Sequence, residues 1–422
     1  MKFKHGLVTA GCLAAMGLAG TAQAVQVMGD AVEVYGNLYP QYQITTYTDG
    51  SSGAPLSQMS KGLVTPGIQA AAPAGPAGKT QINTVNSYLG IKGIKAFGEV
   101  TVGYDFQSTL AKNLDTGAPL FAENRDAFVF VQHAKLGTLS VGQLDTIYKE
   151  FGDRVRMLGV SSSNFVSTSG VLSGVGWKSI AKVGTSGVTE VAGTTSFNTR
   201  IGNQVRWLSP NWNGIEAGIS IRPDPAQTAT RNQSLSAMGV RWSNKTYYVG
   251  LAQEIHNDYR SFSGTDYGIT TPVPSTILNT NPSSKDTATR LSFGYTAEKF
   301  RIAADLATLK YTEDATSIGK FSSYDTTTWQ VSGEYTIDPK WTVAANYAMG
   351  AAGSCSVLGG GACSTTGQGG TLVSLGARYD IDKNVGLFAL YGVNTANDSA
   401  TYASSAIGGK VTNMAVGVQV KF

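Results

Sequence analysis

The chain has 422 residues, 42% of them hydrophobic, only 14% charged and 51 of them glycine, with a formal net charge of +4. A charge this close to neutral does not point to a nucleic-acid partner. So little charge with so much glycine fits many glycine-punctuated strands rather than a helical enzyme.

Residues 1–24 read as a secretory signal. Lys2 and Lys4 form a charged start, Gly6 to Gly20 an apolar core, and Ala22-Gln23-Ala24 a cleavage site, leaving one domain over 25–422. Loss of the two lysines brings the exported chain near +2. After Val25 no apolar run reaches the ~18 residues of a transmembrane helix. An exported chain can still cross a membrane as a closed barrel, because closure satisfies every backbone group. Cys12 leaves with the leader. Cys355 and Cys363 remain, and an oxidising periplasm favours a local disulfide between them over two free thiols.

The rest reads as hairpins. Val32 to Tyr47 is a first strand, followed by a long Ser/Gly/Ala/Pro loop from Gly50 to Gly78. Gly78-Lys79-Thr80 imitates the end of a phosphate-binding loop, but Pro73 stands where its first glycine belongs, so the motif is rejected. Strands are then expected at 84–96, 99–108, 124–134, 138–145, 197–208, 214–222, 232–242, 246–257, 287–296, 300–311, 325–336, 341–349, 371–380, 385–394 and 411–422. In the last of these Met414, Val416, Val418, Val420 and Phe422 share one parity, the period of a strand with one apolar face.

Every second connection is a turn of two to four residues and the others are long and polar. Trp207, Trp212, Trp242, Tyr247, Tyr335 and Trp341 sit beside the short turns, as the interfacial girdle of a barrel requires. The fold expected is all-β: a 16-stranded antiparallel transmembrane β-barrel. The third long connection, Thr146 to Ser196, runs for about fifty residues, a length that is usually functional or disordered. It carries apolar anchors, among them Phe151, Met157 and Leu158, and charges at Lys149, Glu150, Asp153, Arg154 and Arg156. It either folds into the lumen and narrows it or forms an extracellular flap.

Together, several motifs resemble the Gram-negative general porins, trimeric sixteen-stranded diffusion channels, especially their betaproteobacterial branch. They are Val34-Tyr35-Gly36, Leu89-Gly90-Ile91-Lys92-Gly93, Asn124-Arg125-Asp126-Ala127-Phe128-Val129, Leu136 to Gln143 and the terminal Phe422. The resemblance implies a long third loop folded into the lumen, with Glu150-Phe151-Gly152-Asp153 similar to the family's acidic constriction motif. It implies a basic wall opposite, matched by Arg125 and Arg200. Lys92 shares the parity of Tyr88 and is expected to face the lumen. Asn37, Tyr88 and Gln143 stand where family members often carry Lys or Arg, so the basic ladder is thinned. Arg154 and Arg156 either compensate for it or face solvent.

What the resemblance implies about function is passive diffusion of ions and small hydrophilic solutes across the outer membrane, with no cofactor. The partners implied are two further copies in a homotrimer, outer-membrane lipid and lipopolysaccharide, and the barrel-assembly machinery, for which Phe422 looks like the recognition tag. A substrate-specific channel of the same fold and an adhesin or structural barrel are the rival functions. A hydrolase would need a nucleophile, base and orienting group together. The two histidines past the leader, His133 and His256, are expected at opposite ends, so no enzyme is expected.

Overall fold

A computed structural model describes residues 25–26, 32–48, 79–84, 87–110, 121–152, 154–159, 165–166, 197–225, 227, 232–258, 283–314, 321–360, 369–396 and 410–422. The leader proposed over 1–24 lies outside them, as do Asp153 and Cys363.

The chain begins with β1 (Val25–Gln26), β2 (Glu33–Leu38), β3 (Pro40–Thr48), β4 (Lys79–Thr84), β5 (Tyr88–Phe97), β6 (Val100–Leu110), β7 (Phe121–His133) and β8 (Gly137–Asp145). A short helix, α1 (Ile147–Gly152), follows. Then come β9 (Arg200–Leu208), β10 (Ile215–Arg222), β11 (Ser234–Ser243), β12 (Tyr247–Asn257), β13 (Ser284–Thr296) and β14 (Phe300–Glu313). The last are β15 (Phe321–Thr336), β16 (Trp341–Gly350), β17 (Ser354–Val357), β18 (Gly370–Asp380), β19 (Val385–Ala396) and β20 (Lys410–Lys421).

These twenty segments form one sheet. The pair β2 and β3, the pair β4 and β5, and the pair β16 and β17 are each one interrupted barrel strand, and β1 is a two-residue addition to β2. The barrel therefore has sixteen strands, each antiparallel to its neighbours. It closes where β20 pairs with both halves of the first strand, Lys421 opposite Asn37 and Gly417 opposite Gln41. Closure leaves the sheet without a free edge.

Parity explains why this sequence makes a membrane barrel. On β12, Tyr247, Val249 and Leu251 are exposed, whereas Tyr248, Ala252, Glu254 and His256 are buried. On β20, Met414 and Val416 are more than half exposed while Asn413, Ala415 and Gln419 are buried. An outward apolar face with polar residues inside is the inverse of a soluble sheet and suits lipid outside.

Three of the short turns share one device. Asn244, Asp338 and Asp382 each use Oδ1 to accept two backbone N–H groups, from Thr246 and Tyr247, from Lys340 and Trp341, and from Asn384 and Val385, at 2.7–2.9 Å. A side-chain acceptor two and three residues upstream mimics a backbone turn. Rings cluster beside these turns: Tyr247 on Tyr295, Tyr295 on Phe300 and Trp341 on Tyr379 have centroids 5.0–5.4 Å apart. This is the expected girdle.

The differences from expectation are local. Lys79–Asn83, left between the loop ending at Gly78 and the strand expected from Thr84, joins Thr84 in strand β4, because this stretch pairs with Pro40 to Thr45. Ser354–Val357, inside a Gly/Ser-rich stretch, is β17, which extends the ladder of β15 past a break at 351–353. Gln419, on the polar parity of the last strand, is buried and donates to Asn37 Oδ1 at 3.3 Å and to the Tyr39 hydroxyl. Cys355, on β17, is disulfide-bonded.

Candidate pore-lining site

The site is built on α1. The Thr146 backbone N–H donates to Thr199 O (3.2 Å), which keeps the two ends of the long connection together. Thr146 also starts the helix: its carbonyl accepts from Glu150 N–H at 2.8 Å, and its hydroxyl donates to Glu254. Six residues are too few for a helix to stand alone. This one is held by its apolar face. Ile147, Tyr148 and Phe151 are buried in a cluster with Ala237, Ala252, Ala288 and Ala307. Those alanines belong to the inward parity of β11–β14, and with Gly239 and Gly250 they leave a niche. A Cβ at Gly239 would lie 2.9 Å from the Phe151 ring. Burial pushes the Tyr148 phenol above its ordinary pKa, so it stays neutral.

Beyond α1 the segment runs on along the inward parity. Tyr248 donates its hydroxyl to Phe151 O, and the Arg154 guanidinium lies 3.8 Å from the centre of the Tyr248 ring. Arg301 donates to Arg154 O, and Leu158 N–H donates to Glu334 Oε1 at 2.6 Å. Val155, Met157, Leu158, Phe165 and Val166 are buried in a second cluster with Tyr39, Phe388, Leu390 and Ala415. The segment therefore touches β10–β15 first and then β2–β3, β19 and β20.

The anticipated charges fall into three groups. Lys92, Tyr88 and Arg125 share one patch. Lys92 pairs with Glu33 (2.9 Å) and lies over Tyr35, Tyr35 meets Tyr88 edge-on, and Arg125 lies 4.6 Å above the Tyr88 ring. Tyr35 and Gln107 both donate to Asp105, and Arg125 Nε donates to Gln107 (3.4 Å). Arg200 is held by two carboxylates, Asp126 (2.6 Å) and Asp145 (3.1 Å). Glu150 pairs with Arg206 at 2.6 Å and Arg241 at 3.8 Å, and Arg241 reaches Glu216 at 2.9 Å.

Arg206 and Arg241 were not anticipated. A signal was available, because both sit on the inward parity of their strands, between exposed apolar neighbours such as Val205 and Val240. His133 pairs with Glu99 beside a short turn, and His256 meets Glu254 at the far end of β12. Among the described residues no group of three or more His, Cys, Asp or Glu could hold a metal ion.

A family model described as Gram-negative porin matches residues 9–399. The chain belongs to that family. The porin is similar in fold to an anion-selective porin from Comamonas acidovorans, at 14% identity and a TM-score of 0.63 over 93% of this chain and 99% of that one. It is also similar to the trimer form of OmpT from Vibrio cholerae (14% identity, TM-score 0.58, 93% and 99% covered). The Salmonella typhi OmpF in complex with daunomycin is a third such structure (13%, 0.58, 95% and 100%). No curated protein matches. The porin is an outer-membrane channel for passive diffusion, and its family and fold are those of channels rather than enzymes.

Proposed function

We propose that the porin passes ions and small hydrophilic solutes through a constriction formed by segment 146–158, and that it works as a homotrimer. The observation that carries this reading is the path of the segment. Phe151 and Arg154 touch β11 and β12, whereas Gly159 faces the Tyr39 hydroxyl and Leu158 faces Gly376 and Leu390. A segment in contact with both arcs takes up lumen cross-section. Width and the charges beside it then bias which solutes pass.

In this reading Glu150, Arg206 and Arg241 make a mixed-charge band on one side. Arg125, Lys92 and Tyr88 make a wall on β5 and β7, Arg200 stands between the two groups because its partner Asp145 also accepts from Arg206, and Asp153 adds a second acid from the loop. A polar solute can align between them, whereas an apolar one must shed water. The trimer is supported by the fold shared with an outer-membrane protein solved in trimer form. Lipid and lipopolysaccharide are the partners that suit the outward apolar face.

Reversal potentials in a salt gradient test this. A unit charge about 10 Å from a passing ion in water contributes ~0.4 kcal/mol, about twofold in permeability ratio. Glu150→Gln is expected to shift the potential toward anions by that factor, and Arg125→Ala toward cations. Both shifts should shrink above roughly 0.15 M salt, where the Debye length falls to about 8 Å. Unchanged potentials in both variants would remove these residues from the constriction.

A further inference from the structure

We infer that Arg290, on β13, is the positioning residue that fixes α1 and the neck of the long connection to the barrel wall. The inference rests on the constriction reading for its effect on transport, but not for the contact itself. Arg290 is fully buried, and its guanidinium serves three partners at once. Nε and Nη2 hold Asp305 at 3.1 and 3.0 Å, a two-point ion pair within the wall. Nη1 donates to Asn198 Oδ1 at 2.7 Å, and Nη2 donates to Gly152 O at 2.6 Å.

Gly152 is the last residue of α1, and Asn198 stands just before β9. One side chain therefore ties together the point where the chain leaves α1 and the point where it returns. The planar five-donor fork of arginine can do this, and the three-donor ammonium of lysine cannot match its geometry. A helix C-terminus, with its unsatisfied carbonyls, also favours a cation.

Two further features support the assignment. Asp305, which anchors the guanidinium, is itself held by Ser292 and by Gln330 Nε2 (3.0 Å), so the anchor is rigid. At position 152 a Cβ would lie 2.1 Å from the guanidinium, so the close approach requires glycine. Glu150 is held by a separate set of partners, Arg206 and Arg241.

Hydrogen exchange on the folded full-length porin tests the latch without reference to conduction. In Arg290→Met the amides of Ile147–Gly152 are expected to exchange about tenfold faster or more, while the mid-strand amides of β13 stay protected. Arg290→Lys should fall between the variant and wild type. Unchanged exchange in a folded Arg290→Met barrel overturns the proposal. Should that variant fail to fold, Asn198→Ala and Gly152→Ala probe the same contact from the loop side, and wild-type exchange in both overturns it. Single-channel noise separates the two ideas. Faster exchange with noisier, wider channels supports both the latch and the constriction. Faster exchange with wild-type conductance supports the latch and removes α1 from the constriction.

Discussion

Replacing Leu251 with arginine will destabilise the assembled barrel by about 2–4 kcal/mol, the cost of a cation on the lipid face at mid-bilayer. Leu251 is 49% exposed, paired with Val240 on one side and Leu291 on the other, both on the same outward face. It lies four residues from Tyr247, a member of the girdle. At about 3.3 Å rise per residue and a strand tilt of about 40°, that places it ~10 Å into an apolar band about 25 Å tall. Leu251→Ala removes contact area without adding charge and should cost less than about 1 kcal/mol. Denaturant titration of refolded barrels in bilayers reads both. Equal costs for the two variants would mean that this face meets water.

Deleting Phe422 is expected to lower the yield of closed barrel sharply. Phe422 exchanges two backbone hydrogen bonds with Gly36, at 3.2 and 3.0 Å, and so completes the seam between β20 and β2. Its ring lies directly over Gly36, where a Cβ would sit 2.6 Å from it. Losing two backbone bonds at about 0.5–1.5 kcal/mol each, with the ring contact, removes ~2–4 kcal/mol from the seam. It also exposes a strand edge. Heat-modifiable migration on gels measures the folded fraction. A defect in cells but not in detergent refolding would support the proposed role of Phe422 as an assembly tag. A defect in both would trace it to the seam. Pores that do form should conduct as wild type does, because Phe422 belongs to the seam and not to segment 146–158.

The strands were legible because most carry their own period and several short turns their own Asn or Asp. Such signals are local, and they survive without knowledge of partners. Lys79–Asn83 and Ser354–Val357 were not legible, because their polar and small residues lack a period. They are strands only because Pro40–Thr45 and Phe321–Asp325 offer them ladders. The site was legible in part. Glu150 was identified from a motif, but its partners depend on which inward arginines the barrel register brings near α1, and chain distance does not reveal this. Arg206, Arg241 and Arg290 could have been flagged as charges on an inward parity. Choosing among them required the niche made by Ala237, Gly239, Gly250 and Ala252. Those small inward residues opposite Phe151 were themselves a readable hint of something packed against the wall.

Single-channel recording of the purified porin in a planar bilayer tests the central claim most directly. The account predicts stepwise, long-lived current increments whose size grows in proportion to the conductivity of the bathing salt. Absence of increments, or increments that saturate at low salt as a fixed solute site would make them, would contradict a passive water-filled channel.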